Sequence, residues 1–362
     1  MGEKMLHYCL VLEKNFSPEK VEWWVYPLFM LLFMMVVGVL SVRSWFIAFL
    51  MMDLVMVLFL LMISVSDKKC GLGMVSFVTH QSIASTFLYL SFFLSSWSDF
   101  YLELVNFMII VGLFWKMGLP PFHGWYCSIF MEVTWFNAFL LSSFLKIPPS
   151  ILISVIIYNS EWKLLWWSMT VFAFLYSSLI LIGQMSVRGF FAYSSMSSTC
   201  WLVFGASISK EIFFFYFCTY SAMLLLMMMI CKKWDIKSIS SLVNISKKDG
   251  WVFACSLLSV AGIPPFAGFM PKLLICFSAI LSGSKIMVLV VAGYVLASII
   301  NVAGYMDMLN SCVCARILMF TCPVPDGKNK IHLSSVVSFI FFFFHLVVSL
   351  VVMGLSISHF YL

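Results

Sequence analysis

The sequence predicts an all-α polytopic membrane protein of about eleven transmembrane helices, arranged as two inverted five-helix repeats that each contain a Pro-broken helix. Three observations predict it. The 362 residues are 63% hydrophobic and only 10% charged, with a mean hydropathy of +1.06. A soluble domain carries about 25% charged residues, and a chain this apolar lacks the polar surface to cover its own core in water. A soluble enzyme, a disordered chain and a secreted disulfide scaffold are excluded together. Second, the apolar residues fall into runs of roughly 20, the length that crosses a bilayer. Third, Gly118-Leu119-Pro120-Pro121-Phe122 recurs as Gly262-Ile263-Pro264-Pro265-Phe266.

A polar N-terminal extension over 1–22, dotted with Glu3, Lys4, Glu13, Lys14, Glu19, Lys20 and Glu22, comes first, and no cleavable signal stands out in it. Spans then follow at 23–42, 44–65, 71–96, 101–131 and 134–158, forming the first repeat over 23–158. The second repeat, 164–309, holds spans 164–184, 190–208, 211–231, 251–282 and 286–309. A basic loop over 310–333 leads to a C-terminal span at 334–357. Spans 101–131 and 251–282 exceed one straight helix, and each carries its Pro-Pro pair near the middle. Two adjacent prolines remove amide donors and force a break. The repeated pentapeptide falls in the fourth span and again five spans later, so the two halves cross the membrane in opposite senses.

The distribution of Lys and Arg supports this layout. Of 21, 14 fall on the side of the N-terminus, 4 on the other side and 3 inside spans. An odd span count puts the termini on opposite sides, with the N-terminus inside. The net charge of +6 is modest, and nothing reads as a nucleic-acid surface. The 11 cysteines are scattered, and the nearest cluster, Cys312, Cys314 and Cys322, matches no common zinc spacing. They read as packing residues.

A charge at the bilayer centre costs about 2.5–3.5 kcal/mol on insertion scales, so such residues are rare and tend to mark function. Four sit near mid-span: Asp53, Lys116 just before the first break, Lys146 just before Pro148-Pro149, and Lys272 a few turns past the second break. A static ion pair, or a lysine snorkelling to the interface, is the competing reading. Burial disfavours an ammonium and a neighbouring carboxylate favours it. An acid–lysine pair that opens and closes is therefore a switch of proton affinity, and broken helices supply backbone groups that can organise water beside it. His123 and His80 are candidate relays, with a hydrogen-bonded structural role as the alternative; Gln81 could line the same cavity. Glu132 and Asp307 are expected at the inner surface and Glu103 at the outer one.

Three motifs carry a family resemblance. Trp115-Lys116-Met117-Gly118-Leu119-Pro120-Pro121-Phe122-His123-Gly124-Trp125 resembles the K-x-G-x-x-P-F-H-x-W signature of the antiporter-like subunits of respiratory complex I. Arg188 with Ala192-Tyr193-Ser194-Ser195 resembles their R-x-x-x-A-Y-S-S segment, and Gly262-Ile263-Pro264-Pro265 through Gly268-Phe269-Met270-Pro271-Lys272 resembles their G-[LI]-P-P-x-x-G-F-x-P-K segment. The resemblance runs from about 44 to 309. It departs at Ser197-Ser198-Thr199, where many members have a histidine, and at Tyr126-Cys127-Ser128, where an acidic stretch is usual. The first 22 residues also look longer than typical.

The resemblance implies a subunit of the H+-translocating NADH:ubiquinone reductase in the mitochondrial inner membrane, with its N-terminus in the matrix and C-terminus in the intermembrane space. Animal members lack the first three of the fourteen helices of bacterial relatives, which leaves eleven. Lys116 falls on the family's central lysine, Lys146 on the connecting lysine, Lys272 on the lysine of the second broken helix, and Asp53 on a position usually held by glutamate. No cofactor is expected in this chain; FMN, iron–sulfur clusters and ubiquinone belong to other subunits. The implied partners are chains 3, 4 and 4L and the lateral helix of chain 5, together with the lipid bilayer. The alternatives are a free-standing multi-subunit cation/proton antiporter component and a non-pumping scaffold of the membrane arm.

Overall fold

A computed structural model describes residues 18–67, 71–95, 102–159, 163–236, 238–264 and 266–319. The span expected at 334–357, the loop over 320–333, most of the N-terminal extension and Pro265 lie outside the described residues. What is described is nearly all helical. Its one β feature is an isolated bridge between Ser186 and Ser238.

The first five spans fold as α1 (Pro18–Ser41), α2 (Trp45–Ser66), α3 (Leu72–Ser95), the broken pair α4 (Leu102–Met117) and α5 (Gly124–Glu132), then α6 (Trp135–Ser142) and α7 (Ile147–Asn159). The next five give α8 (Lys163–Ile182), α9 (Val187–Ile208), α10 (Lys210–Lys233), the broken pair α11 (Lys247–Ala261) and α12 (Phe269–Leu281), and α13 (Lys285–Met319). Five stretches among the described residues are long and apolar enough to cross a membrane: Trp45–Ser66, Trp135–Ile157, Leu165–Ile182, Lys210–Lys233 and Lys285–Ser311. The other elements fall short for physical reasons. α4, α5, α11 and α12 are halves of broken helices, while α3 and α9 carry many hydroxyls. The fold is a polytopic membrane helical bundle.

Three expectations need correcting. The span over 134–158 is not one helix. A 3-10 turn, Phe144–Lys146, interrupts it. Pro148 and Pro149 have no amide to give to carbonyls one turn back, so they occupy the first turn of α7, where none is required. Ser142 and Ser143 donate their hydroxyls to the Phe139 carbonyl at the end of α6. The last helix of the second repeat does not stop at 309. It runs to Met319, 35 residues or about 52 Å, well beyond a hydrocarbon core of roughly 30 Å. α1 begins at Pro18, inside the stretch expected as extension.

The helices that lead into the two breaks end in the same way. Each helix ends on a left-handed glycine, Gly118 at φ 67 and Gly262 at φ 83. The amide of Gly118 donates to Trp115 O and that of Leu119 to Phe114 O; Gly262 donates to Ser259 O and Ile263 to Leu258 O. This is the hydrogen-bond pattern of a Schellman cap, which glycine allows at no steric cost. Each break then closes with a Phe amide on the residue after the glycine, Phe122 to Leu119 O and Phe266 to Ile263 O, both at 2.9 Å.

α9 is the central helix, packing on α5, α7, α8, α10 and α12. The α5–α6 corner ties one end of the bundle together. Asp67 accepts from the Thr134 amide at 3.0 Å and from Asn137 at 2.8 Å. Glu132 accepts from the Gly73 amide at 2.9 Å, in the first turn of α3. Arg188 donates to the carbonyls of Met131 and Val133 and stacks over Trp135. Acids thus meet helix N-termini and a cation meets a C-terminus, the arrangement the helix dipole favours.

Candidate functional site

Asp53 is the one charged residue of α2, set among apolar neighbours on both sides. α3 and α4 bring it two partners. Lys116 Nζ lies 2.6 Å from Asp53 Oδ1, and the Tyr89 hydroxyl donates to Oδ2 at 2.7 Å. The lysine side chain is 6% exposed and the carboxylate 26%, so the pair sits at the edge of the packed core. Lys116 is the penultimate residue of α4 because the break follows at Gly118. The carbonyls which that break frees find neutral donors: Gln81 Nε2 reaches Lys116 O, and Trp125 Nε1 reaches Trp115 O, both at 3.2 Å. These bonds fix the lysine's backbone from α3 and α5 at once.

Lys146 is 2% exposed. The 3-10 turn points it at α9, where its Nζ donates to Ser195 O at 2.9 Å and Thr199 Oγ1 at 2.7 Å. Between Lys116 and Lys146 lies a cavity lined by both lysines and by Gln81, Trp125, Tyr126, Met52, Met56, Met117, Pro148 and Pro149, among others. It offers ≈ 30 Å³ to the centres of water molecules. A single water takes about 10–15 Å³ on that measure, and the walls supply the polar partners that hold it.

Lys272 lies in the first turns of α12 and reaches back across the second break. Its ammonium donates to Val260 O at 2.6 Å and Ala261 O at 3.0 Å, capping α11. A Cβ on Gly262 would stand 2.8 Å from that nitrogen, so the glycine makes room for the lysine. Pro264 lies within this break; Pro265 is outside the described residues. Pro120 and Pro121 form the first break, joined by a cis peptide bond.

The structure therefore brings Asp53 and Lys116 together and places Lys116 and Lys146 on one cavity. Lys272 meets backbone carbonyls at the second break. The histidines are anchored to aromatic residues. Trp115 Nε1 donates to His80 Nδ1 at 3.2 Å, and the Tyr176 hydroxyl pairs with His123 Nε2 at 3.2 Å. Sequence reasoning missed Tyr89, and it named the hydroxyl-rich stretch of α9 only through the family motif, without a role. There Ser194, Ser195, Ser197, Ser198 and Thr199 are all buried, Asn301 donates to Ser197 Oγ at 3.2 Å, and Tyr294 donates to Cys200 O at 3.1 Å. Five hydroxyls in six residues of a buried membrane helix was the signal available.

The family model for the transmembrane region of NADH:quinone oxidoreductase and Mrp antiporter subunits matches residues 22–300. The chain belongs to this antiporter-like family. A curated relative, NADH-ubiquinone oxidoreductase chain 2 of Lumbricus terrestris, is 27% identical over 246 residues, covering 66% of this chain and 71% of the relative. The fold is similar to a chain of respiratory complex I from Thermus thermophilus, with a TM-score of 0.69 at 16% identity over 87% of this chain and 73% of that one. It is also similar to a chain of the Mrp complex from Dietzia sp., with a TM-score of 0.62 at 18% identity over 79% and 60%. The family resemblance carried by the three motifs holds. The site described above lies within the matched region of this antiporter-like chain.

Proposed function

We propose that the chain is a proton-translocating subunit of the membrane arm of respiratory NADH:ubiquinone oxidoreductase, resident in the mitochondrial inner membrane. The observation that supports this reading best is the Asp53–Lys116 pair beside a cavity that Lys116 and Lys146 both line. While the pair is closed, the carboxylate holds the ammonium in a region of low dielectric. When quinone reduction in neighbouring subunits parts them, the Lys116 proton gains a short route through cavity water to Lys146, which accepts it as the neutral amine. Ser195 and Thr199 receive the resulting ammonium, and Lys272 serves the second half in the same way. FMN, iron–sulfur clusters and ubiquinone are assigned to other subunits, and chains 3, 4 and 4L with the lateral helix of chain 5 to its surroundings.

The reading keeps eleven spans, two inverted repeats with their outer ends moved to Pro18 and Met319, and an N-terminus in the matrix. The matching caps at Gly118 and Gly262 and the asymmetry of basic residues support it. Cysteines introduced as Lys237→Cys and Lys328→Cys are expected to react from the same face as residue 1. Labelling from opposite faces would mean a wrong span count.

Lys146→Ala tests the function. With one proton carrier removed, NADH-driven proton transfer in inner-membrane vesicles is expected to fall about tenfold or more, with the complex assembled. Undiminished transfer would leave the scaffold reading in its place. The likeness to an Mrp chain favours one further reading, a free-standing antiporter component. Such a component would purify without an NADH-oxidising arm.

A further inference from the structure

We propose that Tyr126 is the positioning residue of Lys146, its ring face taking for that lysine the place a carboxylate takes for Lys116. The proposal rests on the reading of Lys146 as a proton carrier. Among the described residues, the hydrogen-bond partners of the Lys146 ammonium are neutral oxygens, Ser195 O and Thr199 Oγ1, and no carboxylate pairs with it. The Tyr126 ring lies 4.4 Å from Lys146 Nζ, measured to the ring centroid. The negative face of an aromatic ring attracts a cation, most strongly where water is excluded.

The ring is held rigidly in that place. Tyr126 is 1% exposed and meets Trp125 edge to face, with centroids 5.6 Å apart. Its hydroxyl is 2.6 Å from Ser195 Oγ, on the same residue whose carbonyl receives Lys146. The Gly118 turn lies against it, since a Cβ there would stand 2.7 Å from Tyr126 Cβ. One aromatic residue thus touches the first helix break, the polar face of α9, the cavity wall and the second lysine. It keeps the ammonium directed toward the cavity with no second acid required.

The assembled complex in inner-membrane vesicles tests this by NADH-driven proton transfer, read for Tyr126 variants in the wild-type and Lys146→Met backgrounds. Tyr126→Phe keeps the ring face and is expected to stay within about threefold of wild type; Tyr126→Leu and Tyr126→Met lose the face and are expected to fall about tenfold. In a Lys146→Met background the Tyr126→Leu change is expected to add nothing, because a residue acting through Lys146 has nothing left to act on. An equal further loss in that background would mean a packing role and overturn the proposal. So would a Tyr126→Phe loss as large as that of Tyr126→Leu. Lys146→Met with wild-type transfer would instead overturn the proton-carrier reading itself. If Tyr126→Leu fails to assemble, Tyr126→Met in both backgrounds and Tyr126→Phe still decide.

Discussion

Asp53→Asn is expected to abolish most NADH-driven proton transfer while the complex still assembles. Asparagine keeps the shape of the side chain and an oxygen for the Tyr89 hydroxyl, but it removes the charge 2.6 Å from Lys116 Nζ. An ammonium left unpaired at a buried site costs about 3–5 kcal/mol if it stays charged. A lysine can avoid that cost by releasing its proton. The loss therefore appears in coupling and not in folding. Coupled transfer should drop on the order of a hundredfold, the kinetic equivalent of the lower end of that range. Lys116→Ala should act in the same direction, and the double variant should be less impaired than the product of the two, since both disrupt one interaction. Proton uptake and quinone reduction measured beside a native-gel assay of assembly separate the two effects. An assembled Asp53→Asn complex with wild-type pumping would rule out the switch.

Gly268→Ala should have the largest effect on assembly. A Cβ at this position would lie 1.9 Å from the Ser259 carbonyl oxygen and 2.7 Å from its carbon. Both are backbone atoms, so no rotamer change relieves the overlap, and α11 and α12 would have to separate. That also breaks the bond from the Gly268 amide to Ser259 Oγ, 3.0 Å long. A cost on the order of 4 kcal/mol or more follows, enough to deplete the folded subunit. The control is Gly124→Ala at the start of α5, where a Cβ meets nothing within 4 Å. The ratio of assembled to total subunit, compared between the two variants, gives the answer. Normal assembly of Gly268→Ala would show that the two helices do not approach so closely.

Much of this was legible in the sequence because the membrane makes a few residues conspicuous. A charge among apolar residues marks Asp53, Lys116, Lys146 and Lys272 without any contact information, and a Pro-Pro pair in an over-long span marks a break. The glycine before each pair could be read as a turn residue, although its left-handed backbone could not. The partners were harder. α2 is apolar on all sides, so its sequence does not say which face packs and which meets lipid. Tyr89 and Tyr126 look like any other aromatic among 13 tyrosines and 38 phenylalanines. The 3-10 turn at Phe144–Lys146 was missed because Pro148-Pro149 could be read either as a mid-helix kink or as the first turn of a new helix. The end of α13 was misplaced because Asp307 and Asn310 suit a membrane surface without stopping a helix, which continues as long as its own amides and carbonyls stay paired.

The cavity that the two lysines line has both stiff and soft residues in its lining. Pro148, Pro149 and Trp125 have little freedom to move, because proline is fixed by its ring and Trp125 is fastened through its indole to Trp115 O. Met52, Met56 and Met117 line the same cavity. Methionine has three rotatable bonds and fills irregular space at little cost. A cavity with room for only about two waters is close to the limit at which a chain of water can persist at all. A turn of one thioether can therefore wet or dry the gap without moving a helix. The size of this cavity then depends on the rotation of those methionine side chains. The helices around it need only tilt the balance between a wet and a dry gap.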